Sequence, residues 1–245
     1  MADHDGVDCA FARQCAVRLD FDIAPGLGQV DDGDTEALLD AMREFQRVAL
    51  FRVAIADRFG GLPLMKVSDR LTDVAELVID LSARMAWREL VEKHGKPMHG
   101  ERGNLEESGL LVVAYGKLGG LELGYGSDLD LVFLHNSEGS VQESSGPKPI
   151  DNQRYFVRLV QRMIHYLSVQ TTSGRLYEID TRLRPDGASG MLVASLSSFS
   201  RYQREEAWTW EHQALLRSRP VAGADALRDA YARTRIETLT RSVRQ

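Results

Sequence analysis

Two short apolar runs near the middle of the chain are separated by a glycine-rich polar segment. The first run covers residues 110–115, the second covers residues 131–134, and five glycines lie between residues 116 and 126. Short apolar runs bounded by glycine are typical of buried strands, and glycine permits tight backbone turns between them. The pattern predicts two core strands joined by a Gly-rich loop.

Helical spacing of apolar residues predicts three long helices around these strands. Apolar residues recur every three or four positions over residues 35–58, 68–93 and 151–168, which is the period of an amphipathic helix. Gly60 and Pro63 would end the first helix, and Ser68 is the predicted N-cap of the second. The stripes predicted to face the core are Leu38, Met42, Phe45, Ala49 and Val53, then Leu71, Val74, Leu77, Val78, Leu81 and Met85, then Phe156, Leu159, Val160, Met163, Ile164 and Leu167.

Weaker patterns cover the rest of the chain. Residues 93–108 and 136–149 are rich in glycine and polar residues and predict irregular connections. Residues 175–183 alternate in the manner of a strand, and residues 191–194 predict a further short strand. Ser197 or Ser198 would cap a helix that continues through Phe199, Tyr202, Trp208 and Leu215.

The two ends of the chain differ in character. Residues 1–34 contain a Pro-Gly cluster and an acidic stretch, and they predict a poorly ordered lead-in with one short strand at 16–21 as an option. Residues 224–245 predict a charged helical tail. Between the ends, we expect a helical layer over residues 35–95 and a domain over residues 96–223 that carries the chemistry.

Composition excludes several classes of function. The chain has 245 residues and a net charge of −6, which argues against broad nucleic-acid binding because that function favours a basic face. No apolar stretch approaches the length of a membrane span. Cys9 and Cys15 are the only cysteines and lack companions at metal-ligand spacing. Free thiols of this kind predict a reducing, cytoplasmic location.

Asp128 and Asp130 give the Gly-rich segment its candidate chemistry. Side chains alternate along a strand, so these two carboxylates point to the same face. Two carboxylates crowded on one face repel each other unless a cation lies between them. Hard oxygen ligands beside a phosphate-binding loop suit Mg²⁺. The pattern predicts a divalent-metal site at the mouth of the loop.

Further residues could complete a two-metal site for chemistry at a phosphorus atom. Two metal ions can hold the attacking and leaving oxygens at a phosphorus atom, and this arrangement needs about three carboxylates. Asp180 lies on the charged face of the predicted strand 175–183 and is the candidate third ligand. Gly126 and Ser127 would cradle the phosphates. The candidate cations for the pyrophosphate are Lys117, Arg182 and Arg184, with ion pairs to Glu178, Glu122 or the carboxylates as the alternative.

Several other residues have a structural interpretation beside a functional one. Arg154, Arg158 and Arg162 share one helix face, which predicts a solvated basic surface or a contact to triphosphate or an acidic partner. His135 at a strand end is interpreted as structural. Three aromatic side chains at helical spacing are interpreted as core rather than as a base-stacking platform, namely Tyr202, Trp208 and Trp210.

The segment 116–134, GKLGGLELGYGSDLDLVFL, and the segment 177–185, YEIDTRLRP, resemble the bacterial glutamine synthetase adenylyltransferase family. This family belongs to the nucleotidyltransferase superfamily. The resemblance implies an α+β, DNA-polymerase-beta-like fold with a short mixed sheet and flanking helices. It also implies ATP as substrate, two Mg²⁺ ions held by Asp128, Asp130 and Asp180, and a tyrosine of glutamine synthetase as acceptor. The PII signalling protein would be a partner of the longer enzyme.

The family contains one domain that adds AMP to glutamine synthetase and another that removes it by phosphorolysis. The segments ELGYGSDLD at 122–130 and WEHQAL at 210–215 are similar to the adding domain. Both reactions use the same three carboxylates, so removal stays open as an alternative. A third alternative is a non-catalytic fragment that binds glutamine synthetase or a regulator.

Overall fold

A computed structural model describes residues 34–172 and 174–241. In these ranges the chain is α+β, with two small sheets and flanking helices. None of the helices within the ranges has the length and apolar character needed to span a bilayer. The optional strand at 16–21 and both cysteines lie outside the described residues.

Two long helices come first. Helix α1 (Thr35–Phe59) and helix α2 (Leu64–His94) bury the two predicted stripes, which confirms both periodic patterns. The predicted start of α2 at Ser68 is wrong, because the helix begins directly after Pro63. The proline ring holds φ at −58° there, a value that already suits entry into a helix.

A mixed sheet forms the centre of the fold. Strands β3 (Leu110–Ala114) and β4 (Leu129–His135) pair antiparallel, as the two apolar runs predicted. Strand β8 (Arg219–Gly223) pairs antiparallel with the other edge of β3. Two very short strands, β6 (Ile179–Asp180) and β7 (Val193–Ser195), lie parallel to β4.

Both faces of this sheet are buried, so β3 and residues 131–134 of β4 are apolar throughout. One face contributes alternate residues such as Val112 and Phe133 to a core shared with α1, α2 and helix α4 (Asn152–Ser168). The other face packs against helices α5 (Leu196–Glu205), α6 (Thr209–Leu216) and α7 (Asp225–Thr240), each of which supplies or supports part of a second core. Successive side chains of a strand point to opposite faces, so one strand feeds two cores.

The predicted irregular connections at 93–108 and 136–149 are wrong in part, since they contain a second sheet. Strand β1 (Pro97–Glu101) pairs antiparallel with both β2 (Asn104–Glu107) and β5 (Val141–Ser144). All four residues of β2 are exposed, and Leu105 is the one apolar residue among them. A sheet of this kind carries no hydrophobic alternation, so its sequence resembles that of a loop.

The segments near β6 and α5 also differ from their predictions. The strand predicted over 175–183 is confirmed only at Ile179–Asp180, because the chain turns after Asp180. The predicted single helix through Phe199 and Leu215 is two helices, α5 and α6, separated near Glu206. Ser195, rather than Ser197 or Ser198, caps α5 by accepting a hydrogen bond from the Ser198 backbone N–H.

Helix α4 covers the segment predicted as the third helix, and Asp151 is its N-cap. The Asp151 carboxylate accepts a hydrogen bond from the Arg154 backbone N–H at 3.2 Å. We expect Asp151→Ala to lower the free energy of unfolding by about 0.5–2 kcal/mol, because the first turn then loses an acceptor for its free N–H group. Chemical denaturation measures this change. Asp151→Asn, which can still cap, should stay close to the wild type, and an equal loss in both variants would contradict the capping role.

Candidate active site

Asp128 and Asp130 lie where the Gly-rich loop enters the central sheet. Asp128 directly precedes β4 and is exposed, whereas Asp130 is the second residue of β4 and is half-buried. The intervening Leu129 is fully buried in the core. Burial of Leu129 therefore turns both carboxylates to the opposite side, as the alternation predicted.

Asp180 lies beside Asp130 on a neighbouring strand. The parallel pairing of β4 with β6 sets Asp130 opposite Asp180 and Leu129 opposite Ile179. The backbone hydrogen bond from Leu129 N–H to Glu178 O, 2.9 Å long, fixes this register. Asp130 and Asp180, about 50 positions apart in the chain, thus meet at one edge of the sheet. Without the family resemblance, the sequence could not establish that these two residues lie together.

Charge crowding among the three carboxylates affects Asp130 most. Burial raises the pKa of Asp130, and the negative charges of Asp128 and Asp180 raise it further. The cations of Arg182 and Lys117 act in the opposite direction but do not cancel the rise. Asp130 is therefore held in a position that disfavours its charged form.

Arg182 provides Asp180 with a counter-charge. Its Nε donates to both oxygens of Asp180 at 3.0 and 2.8 Å, its Nη2 makes a further ion pair, and its backbone N–H donates to Oδ1 at 2.8 Å. These hydrogen bonds from Arg182 lower the pKa of Asp180. The Arg182 side chain is 78% exposed, so a bound substrate can reach the guanidinium.

The donor chemistry of this cluster fits a hard divalent cation. The three carboxylates face one edge of the sheet, and a cation would offset the repulsion that raises the pKa of Asp130. Among the described residues, however, no three His, Cys, Asp or Glu side chains already form a metal-binding group. Both oxygens of Asp180 are bonded to Arg182 instead. A metal held by Asp180 would have to take the place of Arg182 at these oxygens.

The Gly-rich loop closes tightly just before Asp128. The Ser127 hydroxyl accepts a hydrogen bond from the Gly124 backbone N–H at 3.2 Å, and the Ser127 N–H donates to Gly124 O. Gly126 adopts a φ of +67° with open space where a Cβ would stand. The turn therefore presents an unobstructed backbone surface next to the carboxylates, which a phosphate group could approach.

Gly116 is a functional candidate that the sequence reasoning missed. It follows β3 with a φ of +55°, and a Cβ at this position would overlap with Oδ2 of Asp130. The backbone of Gly116 is thus one wall of the pocket that holds the Asp130 carboxylate. A glycine directly after a core strand was the available signal, but its contact across the site depends on the tertiary fold.

The remaining predicted cations have different surroundings. Lys117 is exposed on the short helix α3 (Gly116–Gly119), close enough to Asp130 to lower its pKa in part. Arg184 donates through its guanidinium to oxygens of its own loop, at Thr181, Ala188 and Gly190. Two of the alternative partners named from sequence are engaged elsewhere, since Glu178 pairs with Arg175 and Glu122 pairs with Arg217. The third alternative, an ion pair with the carboxylates, is confirmed for Arg182, which pairs with Asp180.

Other side chains from the sequence analysis have mixed outcomes. His135 is buried, stacks on Phe156 and accepts a hydrogen bond from the Ser137 N–H, which confirms its structural interpretation. Arg162 pairs with Glu89. The core interpretation of Trp208 and Trp210 is wrong, because these side chains are 70% and 56% exposed. Both lie at the start of α6, Trp208 as its N-cap and Trp210 in its first turn.

Comparison with known proteins gives one family. The family model described as glutamate-ammonia ligase adenylyltransferase matches residues 16–234. A protein of Thioalkalivibrio sulfidiphilus is 51% identical over 213 residues, which cover 87% of this chain and 22% of that protein. A protein of Pseudomonas putida is 47% identical over 229 residues, which cover 94% of this chain and 23% of that protein. Both relatives are named bifunctional glutamine synthetase adenylyltransferase/adenylyl-removing enzyme. The chain spans less than a quarter of the length of these relatives.

Proposed function

Because the chain belongs to the glutamate-ammonia ligase adenylyltransferase family, we propose that it transfers AMP from ATP to a tyrosine of glutamine synthetase. The observation that carries this proposal is the register that sets Asp130 beside Asp180, with Asp128 and the Gly-rich turn adjoining them. A binding module has no need for three carboxylates at one edge of a sheet.

The proposed metal ligands are Asp128, Asp130 and Asp180, and the proposed ions are two Mg²⁺. Bound there, the ions would neutralise charge on the phosphates and on the attacking and leaving oxygens. The family and the mixed sheet with helices on both faces support a DNA-polymerase-beta-like fold. We also propose that residues 96–223 form the catalytic domain, which lies in the chain between a helical layer over residues 35–95 and a tail over residues 224–245.

The protein groups have separate tasks in the proposed reaction. The tyrosine hydroxyl attacks the α-phosphorus of ATP, a new O–P bond forms, and the bond from that phosphorus to the pyrophosphate oxygen breaks. Gly126 and Ser127 would bind the β- and γ-phosphates through backbone N–H groups and the hydroxyl. Lys117 and Arg182 would stabilise the leaving pyrophosphate, and Arg184 would add positive charge nearby. Asp180 would accept the hydroxyl proton after Arg182 has moved to the pyrophosphate.

Removal of AMP by phosphorolysis is the second candidate. The relatives carry both activities in their name, and this chain corresponds to only part of each. In this reaction a phosphate oxygen attacks the phosphorus of the AMP group, and the bond from that phosphorus to the tyrosine oxygen breaks. The products are ADP and the unmodified tyrosine of glutamine synthetase. We favour addition because residues 122–130 and 210–215 are similar to the adding domain. The PII protein is a proposed partner of the longer enzyme, and the use of ATP supports a cytoplasmic location.

The experiment that tests the function has two arms. The chain is incubated with glutamine synthetase, Mg²⁺ and ATP labelled at the α-phosphate, and label on the synthetase is measured. We expect stoichiometric labelling of a tyrosine with release of pyrophosphate. Release of labelled ADP from adenylylated synthetase and phosphate, without labelling in the first arm, would identify the removing activity instead. No reaction in either arm by a folded chain would contradict the proposal and favour a binding fragment.

A further inference from the structure

We propose that Arg184, supported by Tyr202 and Glu211, is a positioning residue that fixes the loop after Asp180 and thereby the direction of the Asp180 carboxylate. The loop comprises residues 181–190 and is called the clamp loop below. The inference rests on the proposed function for its activity readouts, but the geometry of the loop is independent of the substrate.

Arg184 connects the beginning of the clamp loop to its end. Its Nη1 donates to the carbonyl and the hydroxyl of Thr181 at 2.8 and 3.0 Å. Its Nε donates to Gly190 O at 3.2 Å, and its Nη2 donates to Ala188 O at 3.0 Å. Thr181 directly follows Asp180, so the guanidinium fixes the chain one residue beyond the proposed metal ligand. A planar fork with donors in several directions can bridge these oxygens, whereas a lysine ammonium on a flexible stem cannot.

The backbone of the clamp loop is shaped to fit around this guanidinium. Pro185 and Asp186 form a turn closed by the hydrogen bond from Gly187 N–H to Arg184 O at 2.9 Å. Asp186 adopts a φ of +59°, a conformation that aspartate tolerates better than most residues. A Cβ on Gly190 would overlap with Pro185 O. The end of the loop therefore packs against its middle as closely as glycine allows.

Tyr202 and Glu211 support the clamp loop from the side of α5 and α6. The Tyr202 hydroxyl donates to Oε1 of Glu211 at 3.0 Å, and the Tyr202 side chain lines one cavity together with Pro185 and Asp186 of the loop. His212, next to Glu211, bonds through Nε2 to Gln203 O at 3.0 Å and ties α6 to α5. The segment 210–215, similar to the adding domain of the family, thus contacts Tyr202 through Glu211.

These contacts distinguish positioning from direct phosphate binding by Arg184. A phosphate ligand would have to exchange the loop oxygens for phosphate oxygens and release the loop at the moment of reaction. The exposed guanidinium of Arg182 is bonded to the Asp180 carboxylate and not to the loop oxygens, so its side chain can leave Asp180 without releasing the loop. Groups that orient a metal ligand without contacting the metal commonly contribute about 10- to 100-fold to metal affinity or activity.

The test uses Arg184→Lys, with Arg175→Lys as a matched control on the other side of Asp180. Arg175 forms an exposed ion pair with Glu178, so its replacement should leave activity within about two-fold. We expect Arg184→Lys to lower kcat for AMP transfer by about 10- to 100-fold with KM for ATP changed less than about three-fold. The affinity for Mn²⁺, measured by electron paramagnetic resonance on the protein without nucleotide, should fall by about ten-fold.

Tyr202→Phe is the second variant, because it removes one hydroxyl and keeps the packing. It should lower kcat by about three- to ten-fold, again without a change in KM for ATP. If Arg184→Lys does not fold, the kcat of Tyr202→Phe alone tests the proposed positioning role. A rise of ten-fold or more in KM for ATP at unchanged kcat in Arg184→Lys would identify a phosphate contact and overturn the proposal. Unchanged kcat in Tyr202→Phe would show that the Tyr202 hydroxyl does not support the clamp loop.

Failure of the proposed function would look different. A wild-type chain that neither transfers nor removes AMP would contradict the proposed function. The positioning role of the clamp loop would then be tested by Mn²⁺ affinity alone. Weaker Mn²⁺ binding in Arg184→Lys than in the wild type and in Arg175→Lys would support positioning of Asp180. Equal Mn²⁺ binding in all three proteins, absent binding included, would overturn it.

Discussion

Asp130→Asn is expected to lower the rate of AMP transfer by about three orders of magnitude, or roughly 4 kcal/mol in the activation free energy. The substitution keeps the size of the side chain but removes one of three negative charges at the edge of the sheet. An amide is a weak ligand for Mg²⁺ compared with a carboxylate. Steady-state labelling of glutamine synthetase with α-labelled ATP measures the loss.

The same substitution should make the fold more stable in the absence of metal. The pKa of Asp130 is raised in the folded chain by burial and by Asp128 and Asp180. Above that pKa, the charged carboxylate costs stability relative to the unfolded chain, and a neutral amide removes the cost. We therefore expect a higher Tm at neutral pH for Asp130→Asn, together with the loss of activity. Asp151→Asn is the matched control, with both quantities unchanged. A lower Tm for Asp130→Asn would contradict the proposed crowding.

Gly116→Ala is expected to lower kcat by about 100-fold, because a Cβ at this position displaces the Asp130 carboxylate. Misplacement of a catalytic group by about 1 Å can cost this much. The positive φ of +55° adds a backbone strain of about 1–2 kcal/mol to the folded state. Rate measurements and chemical denaturation of one protein sample separate the two effects.

Gly61→Ala isolates the backbone strain from the contact with Asp130. Gly61 has a φ of +65° and no atom within 4 Å of its Cβ position. This control should lose a similar amount of stability as Gly116→Ala and keep its activity. Full activity in Gly116→Ala would show that the site tolerates a shifted Asp130, and the account of the carboxylate pocket would be wrong.

The sequence predicted the central strands and long helices because their signal is local. The apolar stripes of α1, α2 and α4 have a 3.6-residue period, and the runs in β3 and β4 are apolar throughout. It could not separate the two cores that these strands serve, since a strand buried on both faces shows no alternation. The sheet of β1, β2 and β5 was missed because its side chains are mostly solvated.

The candidate site was predictable where residues adjoin in the chain and unpredictable where the fold joins them. Asp128, Asp130, Gly126 and Ser127 are close in sequence, and strand periodicity alone orients the two carboxylates. The contact of Gly116 with Asp130 and the clamp of Arg184 on Gly190 depend on backbone geometry that no residue pattern encodes. Trp208 and Trp210 show the opposite error, because helical spacing implied burial where the helix is interrupted.

The measurement that tests the central claim most directly is the anomalous diffraction of Mn²⁺ in crystals of the chain with a non-hydrolysable ATP analogue. We predict anomalous peaks within about 2.5 Å of carboxylate oxygens of Asp128, Asp130 and Asp180, with Arg182 released from Asp180. An ordered analogue with no peak at these carboxylates, or with Arg182 still bonded to Asp180, would contradict the proposed metal site.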